Sequence, residues 1–163
     1  MDAETPARIF RWVHILAGGA WLGEVVAVVF ILVPILIRLE TERRGWFLTT
    51  VFPRVFRLAS VLSLTAVTAG ALLYLASNDW NLALGRLVSE PWGVSILIGG
   101  SLGLALTIFH FVVEGRLEPV VTRAASGEID ETKVIRFLTI VPRVGLGVLV
   151  VVFAAMMYAS RGL

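Results

Sequence analysis

The sequence predicts an all-α integral membrane protein, a four-helix bundle, and three observations carry that expectation. The 163 residues are 58% apolar and 16% charged, with a mean hydropathy of +0.89, more apolar surface than a water-soluble domain of this length can bury. The apolar residues fall in four blocks, each long enough to cross a bilayer core that takes about 20 helical residues at roughly 1.5 Å rise apiece. Charged residues sit mostly in the three connections between those blocks.

The first block, 9–37, carries Arg11 near its start and Glu24 near its middle. It is longer than a signal-peptide core and has no small-x-small cleavage site after it, so it reads as a retained span. The second block, 58–78, and the third, 91–113, contain no formal charge, although the third ends on His110 and is followed by Glu114. The fourth, 134–160, contains Arg136 and Arg143 in its first third. The chain forms a single transmembrane domain without internal repeats or low-complexity segments.

Nine basic residues flank one membrane face: Arg38, Arg43, Arg44, Arg54 and Arg57 after the first block, and Arg116, Arg123, Lys133 and Arg136 after the third. The other face has Arg8, Arg11, Arg86 and Arg161. By the positive-inside rule the Arg-rich loops are cytoplasmic and both termini lie outside, in the plasma (inner) membrane. The net charge of +2 and pI near 9.7 therefore report topology. With no basic soluble domain, nucleic acid is not an expected partner; the lipid bilayer is.

Within the first Arg-rich loop, residues 41–56 are amphipathic, with Trp46, Phe47, Val51, Phe52 and Phe56 among arginines, and are expected to lie in the headgroup layer. In the second, the 124–128 stretch Ala-Ala-Ser-Gly-Glu signals a turn before a polar helix start at Asp130-Glu131-Thr132. Asn78-Asp79-Trp80-Asn81 and Trp92 suit an aromatic belt on the opposite side. Small residues at 17–20, 66–71, 99–103 and 145–147 let helix backbones approach, and the same Gly and Ala also leave room for a flat ligand such as a porphyrin.

Ionisable groups within a span cost roughly 2.5–3.5 kcal/mol on insertion scales, so each needs a reason. Counting about 1.5 Å per residue from the outer helix ends sorts them into two layers. His14 lies about 8 Å in, level with Tyr74, Met156 and Met157. Imidazole and thioether suit haem iron or Cu(I), and Arg8 and Arg11 are candidates to meet haem propionates. The same residues also fit a plainer role, with Met156 and Met157 filling core and Tyr74 anchoring the interface. Glu24, His110 and Arg143 fall at roughly 22–27 Å, with Glu114 one turn beyond His110; either an intramembrane polar relay or a simple Glu24–Arg143 ion pair accounts for them.

The two histidines differ in depth by roughly 15–20 Å, so one haem cannot take both from a single chain when metal–nitrogen bonds are about 2 Å. A bis-His site requires a homodimer that pairs equivalent histidines at equal depth. The absence of cysteine removes disulfides, thiolate metal sites, iron–sulfur clusters and c-type haem attachment.

The first helix resembles that of the CopD-like membrane proteins, a superfamily that includes copper-resistance CopD proteins and HemJ-type protoporphyrinogen oxidases. The resemblance rests on an H-x6-W-x-G pattern made by His14, Trp21 and Gly23. Glu42-Arg43-Arg44, Phe109-His110, and Arg136-Phe137-Leu138 through Pro142 also resemble stretches of HemJ, although Thr139-Ile140-Val141-Pro142 stands where HemJ has Asn-Glu-x-Pro. The resemblance implies a four-helix fold and His14 as an axial ligand of haem b.

The expectation is therefore a b-type haem membrane protein in electron transfer or membrane redox chemistry. It has His14 and then His110 as ligands, supported by Trp21, Glu24, Arg11, Met157 and Tyr74, and it works with a redox partner. The alternatives are transport of copper or another small solute through Glu24, His110 and Arg143, and a non-catalytic accessory subunit.

Overall fold

The computed structural model describes residues 4–126, 128 and 130–161. The fold follows the four apolar blocks, but its helices are longer than the blocks that announce them. Helix α1 (Glu4–Ala27) passes through a π-helical turn (Val28–Leu32) into α2 (Val33–Arg38). The turn has a local cause. Pro34 has no N–H to give to a carbonyl four residues back, and its ring crowds that carbonyl; the backbone widens just before it, with the Val33 N–H donating to the carbonyl of Val28, five residues back. Helix α3 (Thr41–Thr50) and α4 (Phe52–Ala76) follow, joined through Val51, which keeps helical dihedrals. A short α5 (Leu84–Ser89) precedes α6 (Pro91–Ala125), and α7 (Glu131–Arg161) closes the bundle.

Four stretches, Thr5–Arg38, Thr41–Ala76, Pro91–Ala124 and Glu131–Ser160, are long and apolar enough to cross a membrane. Exposed Ile, Leu, Val and Phe on their outer faces, such as Leu16, Phe30, Leu64 and Val144, are what a lipid-facing surface requires. The helices form two tight antiparallel pairs, α1 with α4 and α6 with α7, joined by looser α4–α6 and α1–α7 contacts.

The most completely buried side chains gather at the Arg-rich end. Leu36, Leu48, Phe52 and Leu138 belong to one core cluster there with Val121 and Val134. Within residues 41–56, expected to form an amphipathic segment, Leu48 and Phe52 are inserted between helices while Trp46 stays exposed. Arg44 fixes the arrangement by donating to Glu131 at the start of α7 (3.2 Å) and to the carbonyl of Leu39 (2.7 Å).

The expected polar start of the fourth helix is present. Asp130 caps it by accepting from the Thr132 N–H (2.9 Å), and hydrogen bonding from Thr132 holds its carboxyl below the usual range. Of the expected turn before it, Gly127 lies outside the described residues.

The opposite end is tied by aromatics and one arginine. Tyr74 stacks on Trp92 (6.2 Å between centroids) and donates to the Ala83 carbonyl. Arg86 sits 5.5 Å from the Trp92 ring centre and donates to the Asn78 side chain. Asp79, Trp80 and Ala83 adopt left-handed dihedrals to turn the chain, and α5 folds so tightly onto the start of α6 that a Cβ on Gly93 would stand 2.1 Å from the Arg86 carbonyl oxygen.

That contact is with backbone and cannot move aside. Gly93→Ala is expected to cost about 1–3 kcal/mol in detergent thermal unfolding. Gly100→Ala, at a position with nothing within 4 Å, should leave the transition where it is, and an unchanged Gly93→Ala transition would refute the close packing of α5.

Candidate intramembrane polar site

One face of α1 carries His14, Ala17, Trp21, Glu24 and Val28 at three- and four-residue intervals. That spacing aligns them along a helix, and the bundle turns this stripe inward. Ala17, Trp21 and Val28 are buried. On α4 the facing stripe is small: Ala59, Ser63 and Ala66 are buried, and Gly70 extends it. Without bulky side chains in between, α1 and α4 come close enough for polar atoms on one to reach the other's backbone.

His14 uses that approach. Its Nδ1 lies 2.8 Å from the carbonyl oxygen of Ala66. A carbonyl only accepts, so Nδ1 carries the proton and Nε2 keeps its lone pair. The ring rests on Gly70, where a Cβ would stand 2.9 Å from two ring atoms.

His110 is held in the same way at the other layer. Its Nε2 is 3.1 Å from the Phe56 carbonyl oxygen and 3.0 Å from Ser60 Oγ. Nε2 therefore carries the proton and shares it between the two acceptors. Ser60, receiving at its oxygen, donates its own proton to Glu114 Oε2 in a close hydrogen bond. The order is His110 Nε2–H to Ser60 Oγ–H to Glu114 carboxylate, an unbroken donor–acceptor chain. Glu114 is 28% exposed at its side chain and His110 16%, so the chain runs from the interior toward the Arg-rich face.

On its inward side this chain meets a cavity of about 80 Å³ among α1, α4, α6 and α7, lined by Trp21, Glu24, Phe56, His110, Pro142 and Gly145 among others. One carboxylate oxygen of Glu24, Oε2, is buried without a hydrogen-bond partner. A buried carboxylate oxygen without a donor is costly, and the other polar side chain lining the cavity is His110. Above the cavity, Trp21, Ala59 and Leu149 close the bundle with an apolar layer packed by Leu22, Val25, Leu62 and Leu106. The polar space is thus blind toward the His14 layer.

The two depth layers expected from the sequence are present. His14 meets α4 at Ala66 and Gly70, whereas His110 meets it at Phe56 and Ser60, and no single metal can bridge them. The expected Glu24–Arg143 ion pair is not formed. Arg143 is exposed on the outward face of α7 and pairs with no carboxylate among the described residues, because the inward face at that level belongs to Pro142 and Gly145.

The outer cluster also disperses. Met157 is exposed and Met156 packs over Gly99 of α6, so neither thioether joins His14. Tyr74 anchors the α5–α6 turn, and Arg11 is exposed. Trp21 is in the core as expected of a supporting residue, but it lines the Glu24 cavity. Ser60 went unread in the sequence. Its only signal is a serine on the small-residue face of a span without charges, a pattern shared with Ser63.

The cavity beside Glu24 is well below the roughly 300 Å³ at which organic ligand sites begin. A larger open groove of about 350 Å³ between α1 and α4 is lined by Phe10, Val13, Thr65, Thr68 and other residues that do not include His14. Among the described residues, no three His, Asp or Glu side chains converge as a metal cage.

Comparison with known proteins gives no matching family model, no matching curated protein and no matching solved structure.

Because the His14 ring fills the space of the missing Gly70 side chain, Gly70→Ala should displace the ring, break the bond to Ala66 and destabilise the fold by about 1–3 kcal/mol. The double variant His14→Ala/Gly70→Ala should recover most of that loss. Equal melting temperatures for wild type and Gly70→Ala would show that the ring does not sit there.

Proposed function

We propose that the chain is a proton-handling membrane transport protein, in which Glu24 is loaded from the Arg-rich face. The observation that carries this reading is the His110–Ser60–Glu114 hydrogen-bond chain ending at a cavity that Glu24, with an unpartnered buried oxygen, also lines. Each member both accepts and releases a proton, and in this reading water entering the cavity joins the chain to Glu24. Ionisable side chains inside a membrane mark such relays, and a proton is the solute that passes between groups without needing a wide pore. The basic-residue bias puts the loading side in the cytoplasm and both termini outside, in the plasma (inner) membrane. Passage onward toward His14 requires the Trp21–Ala59–Leu149 layer to part, so conduction is gated.

Proteoliposomes enclosing a pH-sensitive dye and subjected to an imposed proton gradient test this reading. Wild-type vesicles are expected to pass protons faster than empty vesicles. Glu24→Gln and His110→Ala should lower the protein-dependent rate by about 10²-fold or more, and Glu24→Asp should keep part of it. A rate in Glu24→Gln equal to wild type overturns the reading.

A second reading is favoured by the ring of His14, whose Nδ1–H is spent on a backbone carbonyl, as is usual for histidines that bind a metal through the other nitrogen. In this reading the chain is a haem b protein of membrane redox chemistry with a redox partner, His14 is the axial ligand, and a second copy completes the site. The bound haem would supply the electron chemistry, while this chain orients the imidazole. Oxidised and reduced absorption spectra of the purified protein decide it. A Soret band that sharpens on reduction and is lost in His14→Ala supports haem, and a featureless spectrum removes this reading without touching the first. For copper, the separation of Met156 and Met157 from His14 leaves a single histidine, which gives no support for a copper relay.

A further inference from the structure

Arg143 stands where an arginine needs a reason. Tyr158 marks the end of α7 opposite the Arg-rich loops, and at about 1.5 Å per residue Arg143 lies roughly 22 Å from it, inside a hydrocarbon layer about 30 Å thick. Its side chain is exposed, facing outward with Ile140, Val144, Gly147 and Val151. Seven residues earlier on the same face, Arg136 is also exposed, roughly 33 Å from Tyr158 and so at headgroup level. Neither guanidinium has a carboxylate partner among the described residues.

Leu106 contacts Gly145, and Met156 contacts Gly99, so the side of α7 that meets α6 carries Gly145 and Met156, and with about 3.6 residues per turn Arg143 and Arg136 lie on the opposite side, away from α6. One turn beyond Arg143, Gly147 leaves open space where a side chain would stand, a shallow shelf in the apolar face.

The geometry points to a binding site on the outward face of α7 for one anionic phospholipid of the Arg-rich leaflet. In this arrangement Arg143 reaches down from the acyl region and Arg136 lies at headgroup level, the two converging on the phosphate while an acyl chain runs over Gly147. The charge pattern favours a lipid over a second copy of the chain. Among the described residues the carboxylate nearest that depth, Glu24, is turned into the bundle, which keeps it from meeting Arg143 across an interface. A long cationic side chain inside the lipid face is stabilised by reaching toward phosphate, and guanidinium binds phosphate through paired donors.

The test is native mass spectrometry of the full chain released from detergent micelles doped with phosphatidylglycerol or, in parallel, phosphatidylcholine. Wild type is expected to retain phosphatidylglycerol on the order of tenfold better than phosphatidylcholine. Arg143→Gln and Arg136→Gln should each reduce that preference about fivefold, with Arg143→Lys intermediate. Arg38→Gln, an exposed arginine elsewhere on the same rim, should leave the preference intact, and all variants should melt as wild type does. Equal retention of the two lipids by wild type, or an equal loss in Arg38→Gln and Arg143→Gln, overturns the site.

Discussion

The close approach of α1 to α4 is the constraint on which the other features depend. Ala59, Ser63, Ala66 and Gly70 remove the bulk that would hold the helices apart, and lipid provides no hydrophobic drive to replace that contact. Close packing then brings the His14 ring onto the Gly70 backbone and within 2.8 Å of the Ala66 carbonyl. It also sets the height of α4 against the bundle, so that the Phe56 carbonyl and the Ser60 hydroxyl meet His110 arriving from α6. In a medium without water, a polar side chain is tolerated where a backbone carbonyl or hydroxyl is in reach, and α4 provides that for both histidines.

From that seam follows the separation of the two polar levels of the interior. Trp21 is the largest side chain on the inward stripe of α1, and with Ala59 and Leu149 it seals the level between the two histidines. Below it, Pro142 and Gly145 keep α7 slim and leave space beside Glu24. The π-helical turn just past Glu24 and the proline in α7 are both places where regular helical bonding is interrupted. Such interruptions at one level give a bundle its local freedom, and here they border the titratable cavity. The Leu36–Leu48–Phe52–Leu138 core lies beyond them and holds the helix ends together while the middle retains space.

Much of the arrangement was legible in the residues, and the parts that were not share a cause. The polar start of α7 read correctly because Asp130 acts through local geometry, accepting from the Thr132 N–H. The two layers of histidine read correctly because depth along a helix is a count of residues. For residues 41–56 the residues left the neighbour open, since the amphipathic pattern of Trp46, Leu48 and Phe52 is the same whether the apolar side meets lipid or another helix. Ser60 was missed because a serine among alanines has the same appearance as packing until a carboxylate is found beside it.

By itself the sequence determined the class, the number of spans, their order and the height of every polar group, all of which follow from apolar length and a fixed rise per residue. What the tertiary structure alone decided is rotation. Whether a side chain at a given height faces the cavity or the lipid depends on which neighbours the helix packs against, and residue spacing cannot say which of two plausible faces that will be. Glu24 and Arg143 stand at similar depth and were natural partners by arithmetic. Packing of α1 against α4 turned Glu24 into the bundle, while Pro142 and Gly145 took the inward face of α7 and left Arg143 to the outside.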